Sequence, residues 1–301
     1  MNLRKPCLPP LWYPGDPDGI GNFLSDYCDG GGKARTLSAG TVIAAVAPHA
    51  GWYYSGAIAA QAVAALSGQV AAAGQGSEPD TVAVIGGHLP QGMPALFAME
   101  DAADTPLGPM EIDGEIRDTL CTRLQETGIL RPAPDRYQDN TVEVLLPMVR
   151  YFFPQAKLLW MRLPADICSF EVGKLLARTA ASLGRKFLVL GSTDLTHYGH
   201  HYEFIPHGSG KAALDWVKNV NDRRFIDAAE AGDAAAVLAR AGEERSACSA
   251  GAVLGVMGYA AELRGTQSGS SGKLLAYGTS ADAGDGGVPD SFVGYGAFVW
   301  M

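Results

Sequence analysis

The chain has 301 residues, 47% of them hydrophobic and 18% charged, with 38 glycines and 18 prolines. That composition suits a compact protein with many tight turns and excludes a disordered or fibrous one. A formal charge of −9 without any Lys/Arg run excludes a nucleic-acid surface, because phosphate binding needs clustered cations. The five cysteines Cys7, Cys28, Cys121, Cys168 and Cys248 are scattered and form no CxxC pair, unlike a disulfide framework or a structural zinc cluster. The opening "MNLRKPCLPPLWYPGDPDG" meets prolines before any apolar run, and no stretch of about 18 apolar residues occurs, so a cytoplasmic protein without a membrane span is expected.

Along the chain, apolar runs rich in Val, Ile and Leu predict strands at 41–47, 81–87, 95–100, 157–163 and 186–192. Helical patterns fall near 56–66, 112–126, 141–153, 169–183 and 248–263. Strands buried on both faces read as continuous apolar runs, and helices between them supply the crossovers. The expected fold is therefore α/β, a three-layer domain spanning 1–301 around a largely parallel or mixed sheet. The glycine-rich stretches 67–77 and 265–272 read as exposed loops. "KLLAYGTS" and "SFVGYGAFVW" predict two late strands, the last at a sheet edge.

Three of the predicted strands end in histidine-bearing turns: "PHAG" with His49, "GGHLP" with His88, and "TDLTHYGH" with Asp194 and His197. In open α/β sheets, ligands bind outside the carboxyl ends of the strands, so these rings aim at one rim. Any one of them alone also suits a turn cap or a structural role. Cys248 stands where a polar segment enters an apolar helix, a position that favours the thiolate, although an isolated cysteine also suits a small buried hydrophobe. Together His49, His88 and Cys248 make a His/His/Cys metal site the sharper reading. Asp194 and His197, three apart, both face one cavity if the chain turns there into a helical segment; they serve as an acid/base pair, as support for the ligands, or as a cap and a surface residue. His200, His201 and His207 are expected in solvent. "IGGH" lacks the GxGxxG and GxxxxGK[ST] spacings of phosphate loops, and Ser55 lacks a GxSxG context, which argues against a nucleotide site and a serine hydrolase.

The ordered series "LWYPGDP", "VAPHAGWYYSG", "IGGHLP", "DTPLGPMEIDGEI", "NTVEVLLPMV", "LGSTDLTHYG", "CSAGAV" and "YGTSADAGDGGVPDSFVGYGAF" resembles the motifs of the Memo family, also called AmmeMemoRadiSam system protein B, over nearly the whole chain. That resemblance implies a fold similar to the class III extradiol dioxygenases. It also implies that His49, His88 and Cys248 are metal ligands and that Asp194 and His197 line the same pocket. Where the family usually carries Glu-His-Ser, this chain has Asp139, Asn140 and Thr141, and an amide at 140 cannot shuttle a proton. Ser249 replaces the glycine that commonly follows the cysteine.

The resulting expectation is a mononuclear iron or copper site, with zinc also accommodated, in an oxidoreductase-like protein acting on a small molecule or oxygen. His197 and Asp194 would be catalytic, and Tyr54, Tyr198 and Asn140 would contact substrate. The resemblance also permits a rival, a binding or adaptor protein that retains the cavity without turnover, with radical SAM and AMMECR-type proteins as partners; a metal carrier or a metal-free peptide-binding module is a third reading.

Overall fold

The computed structural model describes residues 1–27, 42–73, 78–265, 271–284 and 287–301, so Cys28 and parts of both glycine-rich stretches lie outside the described residues. The chain opens with β1 (Leu3–Arg4), which joins β5 (Ala102–Ala103) and β6 (Met110–Glu111) in a small sheet. The main sheet has nine strands among the described residues. At its centre β2 (Ala44–Ala47), β9 (Phe187–Ser192), β3 (Thr81–Leu89) and β8 (Lys157–Pro164) lie parallel, in that order. Beyond β8 follow β4 (Ala95–Phe97), antiparallel to it, and β7 (Pro132–Pro134). On the other side β12 (Ser291–Trp300) runs antiparallel to β2, β11 (Gly272–Thr279) and β10 (His197–Gly199).

The central strands bury alternate residues in two different cores. Val46, Ile85, Met161 and Val189 face one side, against α3 (Gly114–Thr127), α6 (Cys168–Ser182), α8 (Asp222–Ala231), α9 (Ala234–Glu243) and α10 (Ala250–Arg264). Ala45, Val84, Trp160 and Leu190 face the other, against α1 (Pro17–Leu24), α2 (Ala57–Ala73), α4 (Asn140–Glu143) and α5 (Leu146–Phe152). A slip of one residue would exchange the two faces, so burial on both sides fixes the register. A third cluster places Ala213 of α7 (Lys211–Trp216) against Tyr198 and Phe292. No helix among the described residues is long and apolar enough to cross a membrane.

The three-layer α/β reading holds, with local corrections. Residues 67–73, expected in a loop, continue α2, because the alanine-rich sequence carries the helix past Gly68. The helix expected over 141–153 breaks into α4 and α5 around Val144 and Leu145, with Pro147 in the first turn of the second piece. β12 is not an edge strand, since β2 and β11 both pair along it. Its near-continuous burial is the physical sign of that interior position.

α6 and α10 cross at backbone contact. A methyl on Gly258 would sit 1.9 Å from the Phe170 carbonyl oxygen, and one on Gly173 would sit 2.0 Å from that of Gly255. Neither carbonyl belongs to a side chain that can swing away, so the helices would have to separate. Gly258→Ala is expected to lower the unfolding free energy by roughly 3 kcal/mol in urea titration; an unchanged midpoint would show that the helices part freely.

Candidate metal centre

Because β2, β9 and β3 are parallel neighbours, their carboxyl ends share one rim. The chain leaves β2 and turns at His49, whose backbone N–H donates to Asp194 Oδ1 at 2.7 Å. Its Nδ1 lies 2.8 Å from Ser192 Oγ at the end of β9, and its Nε2 lies 3.2 Å from Cys248 Sγ. Cys248 sits just before α10, with its own N–H donating to the Asp194 carbonyl at 3.2 Å.

His88 occupies a bulge near the end of β3, where the pairing with β8 shifts between Gly86 and Leu89. Its φ of +57° is rare for a residue with a side chain, and such strain tends to persist where a group must be aimed. Gly87 makes this possible: a Cβ there would meet Ser249 Cβ at 2.4 Å, so only glycine lets the start of α10 close against the strand. The Ser249 hydroxyl then accepts the His88 N–H at 3.3 Å.

The ligating atoms of His49, His88 and Cys248 all lie within 4.8 Å of one another. An ion bonded at about 2.1 Å to nitrogen and 2.3 Å to sulfur in tetrahedral geometry needs an N···S separation of roughly 3.5 Å, close to the His49–Cys248 distance. His88, more open to the pocket than His49, supplies the third donor of the set. The nitrogens turned away from the centre are also engaged. Asp139 only accepts, so the His88 Nδ1 carries the proton of their 3.0 Å bond and the Nε2 lone pair is left for a ligand role. The residues therefore fit a mononuclear metal.

Charge is distributed accordingly. Burial alone would raise the Cys248 thiol, but the charge and hydrogen bonds of His49 and His88 bring it down to about 6. Burial opposes charge on His88, whereas hydrogen bonds to Asp139 and Cys248 raise it to about 10. Burial also disfavours charge on His49, whose pKa is lowered. Asp139, despite its own burial, is held at about 2 by His88, Thr141 and Arg162.

Above the centre opens a cavity of about 930 Å³. His49, His88, Asp194, His197, Asn140 and Tyr54 all line it, so the expected residues converge except for two. Cys248 lies beneath, reaching the cavity through the histidines. Tyr198 is corrected: it is 1% exposed, stacks on Phe292 and donates its hydroxyl to the Gly208 carbonyl, so it supports the wall from behind. Tyr202 takes the pocket position, its ring edge-on to His197 at 4.8 Å. Asp194 lies in the connection between β9 and β10 and His197 is the first residue of β10, so they reach the cavity without a helical turn. His200, His201 and His207 are exposed, as expected, although His207 rests on Trp216.

Arg162, Ser192 and Tyr202 were not identified from sequence, and Asp139 was named there only as standing at the resembled family's Glu, with no role at the site. Only Asp139 carried a signal, as an acidic N-cap residue before a helix, and a cap bond to the Thr141 N–H at 2.9 Å is indeed present.

The protonation pattern sets a pH dependence for metal binding. Between pH 6 and 10 the metal-free centre holds a thiolate and a protonated His88, so a metal must displace one proton. Affinity is expected to rise roughly tenfold per pH unit across that window, more steeply below pH 6 where Cys248 also binds a proton, and to level off above pH 10. Chelator-competition titrations from pH 5.5 to 9 check this; a flat profile would mean that His88 is not a ligand.

The chain is 26% identical to a MEMO1 family protein of Pyrobaculum arsenaticum, covering 100% of this chain and 99% of the relative. It is 28% identical to a Methanopyrus kandleri MEMO1 family protein, covering 99% and 98%. A crystal structure of an uncharacterized Escherichia coli K12 protein aligns with TM-score 0.46 and 12% identity over 74% of this chain and 87% of that one. The sequence profile of Memo-like proteins matches residues 4–299, and the chain belongs to that family.

Proposed function

We propose that the protein is an oxidoreductase-like enzyme that holds iron or copper at His49, His88 and Cys248 and works on a small organic substrate in the adjoining cavity. The observation that carries this reading is the convergence of a His/His/Cys donor set with a second buried acid/base pair in one pocket. Such an ion supplies a Lewis-acidic, redox-capable centre, and a thiolate among its donors shifts preference toward copper or alters an iron potential.

The chain's own residues manage protons and position. His197 Nδ1 lies 3.1 Å from the Leu195 carbonyl oxygen, which can only accept. The proton therefore sits on Nδ1, leaving the Nε2 lone pair free to take one from substrate. Burial lowers the His197 pKa, so the ring is neutral and basic near pH 7. Asp194, within electrostatic reach, favours the imidazolium that forms on proton transfer, while burial raises its own pKa. Tyr202 braces the ring edge-on.

Asn140 supports a second reading. Its Nδ2 donates to the His49 carbonyl at 2.9 Å, so it anchors the ligand loop and moves no proton. If turnover needs two proton-handling groups, this protein is a binding or adaptor protein that keeps the pocket.

Oxygen consumption by Fe(II)- or Cu-loaded protein with a panel of catechols and thiols separates the two. The enzyme reading expects metal-dependent consumption that falls by about 10²-fold or more in His197→Ala. It also expects an acid limb below pH 6.5, because the base must be neutral and its pKa is lowered from that value. Stoichiometric metal without consumption, in both the natural protein and Asn140→His, favours the binding reading.

A further inference from the structure

The half of the cavity away from the metal donors has a chemistry of its own. Among the exposed large apolar side chains of the described residues, Leu11, Tyr53 and Tyr54 all fall on the cavity mouth, at 93%, 71% and 51% exposure. Single exposed apolar residues are ordinary, but three around one concave opening mark a surface that awaits a partner group. Ala281, Ala283 and Pro289 complete the rim. No described lining residue is Lys or Arg; the ionisable groups are Asp194, three histidines and tyrosines.

Leu11 is placed there deliberately. It has a φ of +79°, a left-handed conformation that a leucine adopts only when its neighbours hold it. Those neighbours are fixed by one buried carboxylate. Glu143 of α4 accepts from the backbone N–H groups of Cys7 and Leu8 at 2.8 and 3.0 Å, from the Cys7 thiol at 2.9 Å and from the Tyr13 hydroxyl at 3.0 Å. The Trp12 carbonyl accepts the Trp52 N–H at 2.7 Å, tying the same segment to the π-helical turn Trp52–Gly56 that carries Tyr53 and Tyr54. Leu8 and Tyr13 pack inward, while Pro10, Leu11 and the partly buried Trp12 line the cavity, Leu11 as the most exposed large apolar side chain among the described residues.

We propose that this mouth is a subsite for the flat apolar or aromatic end of an uncharged ligand, with Leu11 its specificity-determining residue and Glu143 the residue that positions the strap bearing it. The subsite deepens the reading of the pocket as a substrate site, but it rests on the cavity and not on the metal. The cationic group facing the cavity, His88, is already held by Asp139 and the Cys248 thiolate, so an anionic ligand would enter with no unpaired countercharge among the described lining residues, beside Asp194, on a protein of net charge −9.

Two dyes with the same aromatic body test this on the full-length, metal-free protein: neutral N-phenyl-1-naphthylamine and its sulfonate analogue 1-anilinonaphthalene-8-sulfonate. The neutral dye is expected to bind one per chain, at least about tenfold more tightly than the sulfonate. Leu11→Asn, whose side chain tolerates the left-handed backbone, should weaken the neutral dye about tenfold with an unchanged melting midpoint. Leu11→Lys, which adds a cation at the rim, should strengthen the sulfonate about tenfold. Glu143→Gln, which loosens the strap, should weaken the neutral dye and speed tryptic cleavage after Arg4. Equal affinity for both dyes, or dye binding indifferent to both Leu11 variants, overturns the subsite. Indifference to Glu143→Gln overturns the strap's role. A dimer in sedimentation that Leu11→Asn dissolves would also overturn the proposal, by showing that a second copy covers the mouth. Because no arm requires metal, failure here is distinct from failure of the oxidoreductase reading.

Discussion

The geometry of the centre hangs on Asp194. Its carboxylate accepts the His49 N–H and its main-chain carbonyl accepts the Cys248 N–H, so a single residue at the end of β9 ties together two donors that lie 199 residues apart in sequence. The residues before it reinforce the tie. Ser192 meets the outer nitrogen of His49, and the Thr193 hydroxyl accepts the Ser249 N–H at 3.1 Å. A buried carboxylate without partners is costly, and here the partners are the backbone groups whose positions matter. The centre is therefore assembled by main-chain hydrogen bonds, which hold to a few tenths of an ångström what a flexible side-chain contact would leave loose.

The third donor is held by a separate mechanism. His88 is oriented by Asp139, and Asp139 by Arg162, whose Nη2 lies 3.0 Å away. Arg162 also donates to the Gly87 carbonyl and pairs with fully buried Asp135, which accepts from Trp160 and pairs with Arg4. Buried charges of this kind contribute little net stability, but removing one leaves another uncompensated. The chain of charges thus constrains His88 from the rear, and it ends at β1, close to the strap that walls the cavity. The candidate donors and the cavity mouth are thus each braced from behind by buried polar groups, His88 by the charges that run to Arg4 and the strap by Glu143.

The strand-end histidines were legible because a parallel sheet forces the carboxyl ends of its strands to one rim, and the period of the apolar runs located those ends. Cys248 was legible as the polar-to-apolar boundary before α10. The α/β layering followed from runs such as 157–163, apolar on both faces. Sequence gave no access to Arg162 or Ser192, because their roles depend on which strands are neighbours, and the order β2, β9, β3, β8 is set by non-local pairing. Tyr198 was expected at the substrate and Tyr202 was not singled out, for a related reason: near a short antiparallel strand, which of two nearby tyrosines points into the cavity is decided by pairing with β12. The interior place of β12 was missed because an apolar terminal run reads the same at an edge or inside.

Two of the departures from the pattern that the resemblance implies take on a common meaning in this setting. Ser249, where the family usually carries glycine, is accommodated because Gly87 opposite has no Cβ, and its hydroxyl adds a hydrogen bond to the His88 backbone. Asn140, where the family usually carries histidine, places its amide on the His49 carbonyl. Both substitutions thus anchor the main chain of a donor residue. An amide and a hydroxyl do not titrate near neutral pH, so these anchors hold at any protonation state of the centre. Among the described pocket histidines this leaves His197 alone outside the candidate donor set, so on the proposed reading donor geometry and acid/base chemistry rest on different residues.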